Sequence, residues 1–285
     1  MNVLEIIKQL ANFITLTDII CLTGLILLVS WLLKTSLGRN PLADSTPRRN
    51  NMPLYLPFIM LFIWFGAVSL TILITAMTEK RMPDLPDWQS AFLGNAILCI
   101  GGLGVMVVII FSVKTHFARG LKGFGLNPKT IHRDSFAAII NLIYVWPIVF
   151  LVTQLTIFYG QLIFRQDFNW PQHQTLESMT SHPQLPLKIL IFITTAAIVP
   201  IVEEMLFRGL FQTMVRSFLD RAWVAIILSS ALFAIVHQDK EHWPALFVLS
   251  MCLGYSYEKS GSLLRPIFIH SIFNAASIIF VLCAA

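Results

Sequence analysis

Charge is scarce in this chain. Only 12% of its 285 residues are Asp, Glu, Lys or Arg, where a soluble domain carries about 25%. With 56% hydrophobic residues and a mean hydropathy of +0.74, the composition excludes an ordinary soluble fold. Cysteine is sparse too. Cys21, Cys99, Cys252 and Cys283 stand alone in apolar runs with no C-x-x-C spacing, which argues against a thiolate metal site and against a disulfide framework. The H-E-x-x-H signature of zinc proteases is absent. No basic n-region precedes the first apolar stretch, which is flanked by Glu5 and Asp18, so a cleavable signal peptide is not expected. The final Cys-Ala-Ala is one residue short of a prenylation box. Basic residues do not interleave with aromatics, so the pI of 9.1 does not point to nucleic acid. The net charge of +5 is the surplus that cytoplasmic loops of membrane proteins carry.

What the chain has in abundance is long apolar runs. About 20 apolar residues cross the ~30 Å hydrocarbon layer as a helix. Eight runs qualify as candidates: 18–34, 53–78, 90–113, 136–164, 187–215, 222–238, 243–257 and 264–283. The first and seventh are short; the fourth and fifth are long enough to tilt or to extend beyond the bilayer. The expected fold is all-α, a polytopic integral membrane bundle of about eight transmembrane helices. Residues 1–186 form an N-terminal set of spans 1–4, and 187–285 form a core of spans 5–8. Basic residues collect in alternate loops, with Arg39, Arg48 and Arg49 in one, Lys114, Arg119, Lys122, Lys129 and Arg133 in another, and Arg216, Arg221, Lys259 and Arg265 in short turns. The positive-inside rule then places both termini outside. His116, His132, His173, His182 and His242 fall in the expected loops as solvated groups.

Three charges nevertheless lie together in the fifth run, in "VEEMLFRGLF". A charged side chain at mid-span costs at least ~2.5 kcal/mol, so each such group needs a partner and a reason. Glu204 and Arg208 are four apart, share a helix face and can neutralise one another. Glu203 points about 100° away from Glu204 and needs a different partner or a wet cavity. Pro200 should kink the helix or free a carbonyl nearby. In the sixth run Phe233 and His237 share a face. Asp220 lies seventeen residues after Glu203 and seventeen before His237, so an antiparallel hairpin turning there brings the two to one depth. A carboxylate beside an imidazole in low dielectric can activate water. In the eighth run His270 and Asn274 share a face, four apart, and both can donate hydrogen bonds.

"EEMLFR", "FAIVH" and "HSIFN" fit the patterns EExxxR, FxxxH and HxxxN, in that order. With the lead-in "SGSLLRPIFIH", they make residues 187–277 resemble the CPBP family of CAAX-processing and bacteriocin-maturation intramembrane endopeptidases, related to the Ras-converting enzyme. No motif position departs from the pattern. The resemblance implies that Glu203 and His237 activate the attacking water, that His270 and Asn274 hold the oxyanion, and that Glu204, Arg208 and Phe233 support the site.

It leaves two mechanisms open. In one, a Glu–His dyad works without metal. In the other, Glu203, His237 and His270 ligate Zn²⁺ with water in the fourth place. The expected partners are the lipid bilayer and a protein or peptide substrate, prenylated proteins among the candidates, with no nucleic acid. The expected location is a bacterial inner membrane. Two other functions remain as alternatives: a proton-coupled transporter, and a non-catalytic immunity or scaffold protein.

Overall fold

The computed structural model describes residues 15–35, 41–164 and 174–284; statements of absence below concern these residues. The principal helices are α1 (Leu16–Lys34), α2 (Leu56–Arg81), α3 (Asp87–His116) and α4 (Ile131–Phe164). They continue with α5 (Leu185–Leu219), α6 (Ala222–Ile235), α7 (Trp243–Ser260) and α8 (Leu264–Ala284). Among the described residues the one extended pairing is a single bridge between Asn50 and Phe117. The chain is thus an all-α polytopic membrane bundle. Its outward faces are apolar, with Phe62, Ile100 and Phe280 each about 70% exposed or more, as a lipid-facing surface requires.

The eight expected runs are helical. Six helices, α1 to α5 and α8, are long and apolar enough to cross a membrane. Helix α6 has 14 residues, about 21 Å at 1.5 Å per residue, well short of the hydrocarbon thickness. Helix α7 falls outside the six; its last two turns carry Ser256, Glu258 and Lys259. Two expected loop histidines are also displaced. His116 ends α3, half-buried, with Nδ1 donating to the Ser112 carbonyl, and His132 lies in the first turn of α4. His173 lies outside the described residues.

Helix α5 is the axis of the bundle. It packs against α3 and α8 in its first half and against α2, α6 and α7 in its second. It is not a uniform α-helix: Thr194–Ile198 and Met205–Gln212 are π-helical. Such widenings reposition side chains and recur at functional sites. Gly209 lies in the second of them, where any Cβ would run into the ring of Phe124. That ring is fully buried and comes from the segment "LKGFG" between α3 and α4. Tyr257 Oη donates to the Phe124 carbonyl at 3.1 Å, and Leu263 N donates to that of Gly125 at 2.9 Å. The loop between α3 and α4 therefore closes one end of the α5–α7–α8 core. On the far side α4 packs on α1, α7 and α8. Pro147 leaves the carbonyl of Ile143 without its helical donor, and Gly24 of α1 lies directly against that carbonyl.

Candidate active site

The α5–α6 hairpin turns at Asp220, which adopts a left-handed conformation with φ 51°. Its register follows from the residues that meet. Phe207 and Phe233, each thirteen residues from Asp220, pack edge to face with centroids 5.1 Å apart. Ser229 Oγ donates to the Phe207 carbonyl at 2.8 Å. The hairpin thus pairs residues at equal distance from the turn, as the Glu203–His237 spacing requires.

Phe233 is the centre of the site. It is fully buried, and three polar groups touch its ring. The Arg208 guanidinium carbon lies 4.6 Å from the ring centroid, an arrangement favoured by the ring quadrupole. The imidazoles of His237 and His270 lie at 4.7 and 5.8 Å, centroid to centroid. Side chains from α5, α6 and α8 therefore converge on one ring.

The Glu204–Arg208 pair forms as its spacing predicts. Arg208 Nη1 donates to Glu204 Oε1 at 2.7 Å, with both side chains at zero exposure. Removing both groups from water carries a cost that further hydrogen bonds must offset. They come from α7 and α8: Arg208 Nη2 donates to Ser250 Oγ at 2.6 Å, and His270 Nδ1 donates to Glu204 Oε1 at 2.9 Å. A carboxylate held by arginine can only accept, so Nδ1 of His270 carries its proton. Nε2 is left facing Glu203, whose Oε2 stands 3.8 Å away. The Glu203 side chain is 12% exposed, less sealed than that of its neighbour.

His237 is anchored in turn. Its Nδ1 donates to the Phe233 carbonyl at 2.6 Å, and its own carbonyl accepts from Trp243 Nε1 at 2.8 Å. Only Nε2 remains unspent. Among the described residues no ion pair within 4.0 Å joins Glu203 to His237; the imidazole within that reach of Glu203 is that of His270. Asn274 Nδ2 donates to the Thr195 carbonyl at 3.0 Å.

Sequence reasoning passed over the ladder behind these residues. Arg208 meets Ser250, Gln212 Nε2 donates to the Gly254 carbonyl at 3.1 Å, and Arg216 Nε stands 3.9 Å from Glu258 Oε2. Each step keeps one offset of 42 residues, the signature of two parallel helices in fixed register. Arg48 completes the lower rung. Its guanidinium lies 3.4 Å from the Tyr257 ring centroid and 4.0 Å from Glu258 Oε1. Glu258 and Arg216, expected in short turns, are buried helix residues. Two stripes at four-residue spacing, Arg208–Gln212–Arg216 and Ser250–Gly254–Glu258, were the available signal.

With Nδ1 bonded to Glu204, His270 has Nε2 as the atom it could offer a metal. Among the described residues no three His, Cys, Asp or Glu side chains converge closely enough to hold one ion.

Fold and site together define an integral membrane protein with polar and acid–base side chains gathered around one buried ring. Residues 185–276 match the family model described as type II CAAX prenyl endopeptidase Rce1-like, in agreement with the CPBP motifs. The matched segment begins with α5 and includes Glu203, Glu204, Arg208, Phe233, His237, His270 and Asn274. A 24% identical relative, an uncharacterized 24.3 kDa protein of Escherichia coli, aligns over 118 residues, 40% of this chain and 54% of that protein. The chain thus spans about half the length of this curated relative. No solved structure matches.

Proposed function

We propose that the chain is an intramembrane endopeptidase in which Glu203 activates water against a peptide bond. One observation carries the reading: a half-sealed carboxylate faces an unspent imidazole nitrogen across 3.8 Å, behind an ion pair that is fully buried. Two polar atoms at that separation can both hydrogen-bond one water.

Glu203 takes a proton from this water as general base, a role worth roughly 10²–10⁴-fold. The water oxygen bonds to the scissile carbonyl carbon, and the carbonyl oxygen takes the negative charge. Asn274 and His270, the latter protonated on both nitrogens when it serves this role, donate to that oxyanion. A single such donor is worth about 10²–10³ in rate. The carbon–nitrogen bond then breaks, and Glu203 returns its proton to the leaving amine. His237 presents Nε2 to the same water from α6, while Glu204, Arg208 and Phe233 hold the imidazoles in place. The substrate is a protein or peptide reached from the bilayer, CAAX-type prenylated proteins among the candidates. The proposed location is a bacterial inner membrane with both termini outside.

Purified protein in proteoliposomes, given a membrane-tethered fluorogenic peptide, tests this reading. Cleavage is the expected result. Proton-driven flux without cleavage would replace the peptidase by a transporter.

A further inference from the structure

The first widened stretch of α5 contains a carbonyl that its own helix cannot satisfy. Val199 N–H reaches back five residues to the Thr194 carbonyl, so it is not available to Thr195, four residues before it. The next candidate donor, five residues beyond Thr195, is Pro200, which has no N–H. In an apolar setting an orphaned carbonyl is costly and must find a donor elsewhere. It finds Asn274, whose Nδ2 lies 3.0 Å away on α8.

Two other carbonyls near the second widened stretch also accept side-chain bonds. Ser229 Oγ donates to Phe207 O, and Thr213 Oγ1 donates to Arg208 O. Those hydroxyls have one hydrogen each and are consumed. The Asn274 amide nitrogen has two. A carbonyl oxygen can only accept, so it fixes which way the amide faces, and the second N–H is unspent among the described residues. One turn earlier on the same face, His270 is tied to α5 through Nδ1 and has Nε2 unspent. Helix α5 therefore grips His270 and Asn274 of α8 by one N–H each and leaves His270 Nε2 and the second Asn274 N–H for a ligand.

The geometry points to Pro200 as a positioning residue. By withholding an N–H, it frees the Thr195 carbonyl to orient the Asn274 amide so that its second hydrogen meets the oxyanion. This inference rests on the peptidase reading and deepens it.

The test is a double-mutant cycle on the full chain in proteoliposomes. Pro200→Ala supplies a competing N–H. It is expected to lower kcat by about tenfold, a fraction of the loss of a whole oxyanion donor, with KM within about twofold. Asn274→Ala should lower kcat further, and adding Pro200→Ala to it should cost nothing more, since the orientation it disturbs is already gone. An equal loss in both backgrounds, or no loss in the single variant, overturns the proposal.

A second measurement needs neither a folded Pro200 variant nor turnover. In protein labelled with ¹⁵N-asparagine, the Asn274 side-chain amide, assigned by its disappearance in Asn274→Asp, should show one proton slow to exchange and one fast. Two equally fast protons would overturn the orientation even if cleavage is robust. An asymmetric pair in a protein that cleaves nothing would preserve the orientation while the peptidase reading fails.

Discussion

Nε2 of His270 faces the Glu203 carboxylate across 3.8 Å, while Nδ1 of the same ring is bonded to Glu204 at 2.9 Å. Two adjacent glutamates thus divide the two nitrogens of one imidazole. The helix periodicity that turns neighbouring residues about 100° apart makes this possible. One carboxylate is sealed against Arg208 and immobilises the ring; the other stays partly exposed.

The sealed pair should behave as a structural unit. Arg208→Ala leaves the Glu204 charge buried with one hydrogen-bond partner, at a cost of about 3–5 kcal/mol. Arg208→Lys keeps the charge but not the fork that reaches both Glu204 and Ser250, and should cost less. Thermal melts in detergent check the order: wild type, then Lys, then Ala.

Gly209→Ala places a methyl group against the Phe124 ring, and overpacking of this kind costs about 1–3 kcal/mol. Because Phe124 belongs to the loop that closes the core, the variant should expose that loop to protease before the bundle unfolds. Limited proteolysis near Lys122, compared with wild type, reads this directly.

Glu258 is the shared partner of Arg48 and Arg216, beyond the pocket but in the same ladder. Glu258→Ala leaves two guanidiniums facing each other with Gln212, and breaking a buried pair costs about 3–5 kcal/mol. Stability should fall, while the KM of the folded fraction stays near wild type. A changed KM with an unchanged melting temperature would contradict the structural role.

Much of this was legible in the sequence, and the rest was not, for physical reasons. Charge scarcity and run length gave the membrane bundle, and four-residue spacing gave the Glu204–Arg208 pair and the shared face of His270 and Asn274. The spacing about Asp220 gave the hairpin register, realised in the Phe207–Phe233 contact. The ladder escaped because Ser250 is a small residue in an apolar helix, and because Glu258 and Arg216 beside turns read as solvated charge. The widened stretches of α5 escaped because a π-turn has no side-chain period of its own. Only Pro200 hinted at one, as a residue able to free a carbonyl. The shortness of α6 was hidden because apolar residues continue past its last helical turn to Val236.

Removal of metal gives a separate check on the chemistry. With no three-ligand cluster among the described residues, activity should survive exhaustive chelation followed by gel filtration. Loss of activity that returns only with added Zn²⁺ would require a rearranged pocket.

The most direct measurement is single-turnover cleavage of the tethered peptide by wild type and by Glu203→Gln, with melting temperatures taken in parallel. The amide keeps the shape of the side chain and removes its basicity. The account predicts a rate loss of about 10²–10⁴-fold at an unchanged melting temperature. Cleavage by the variant at the wild-type rate would contradict it.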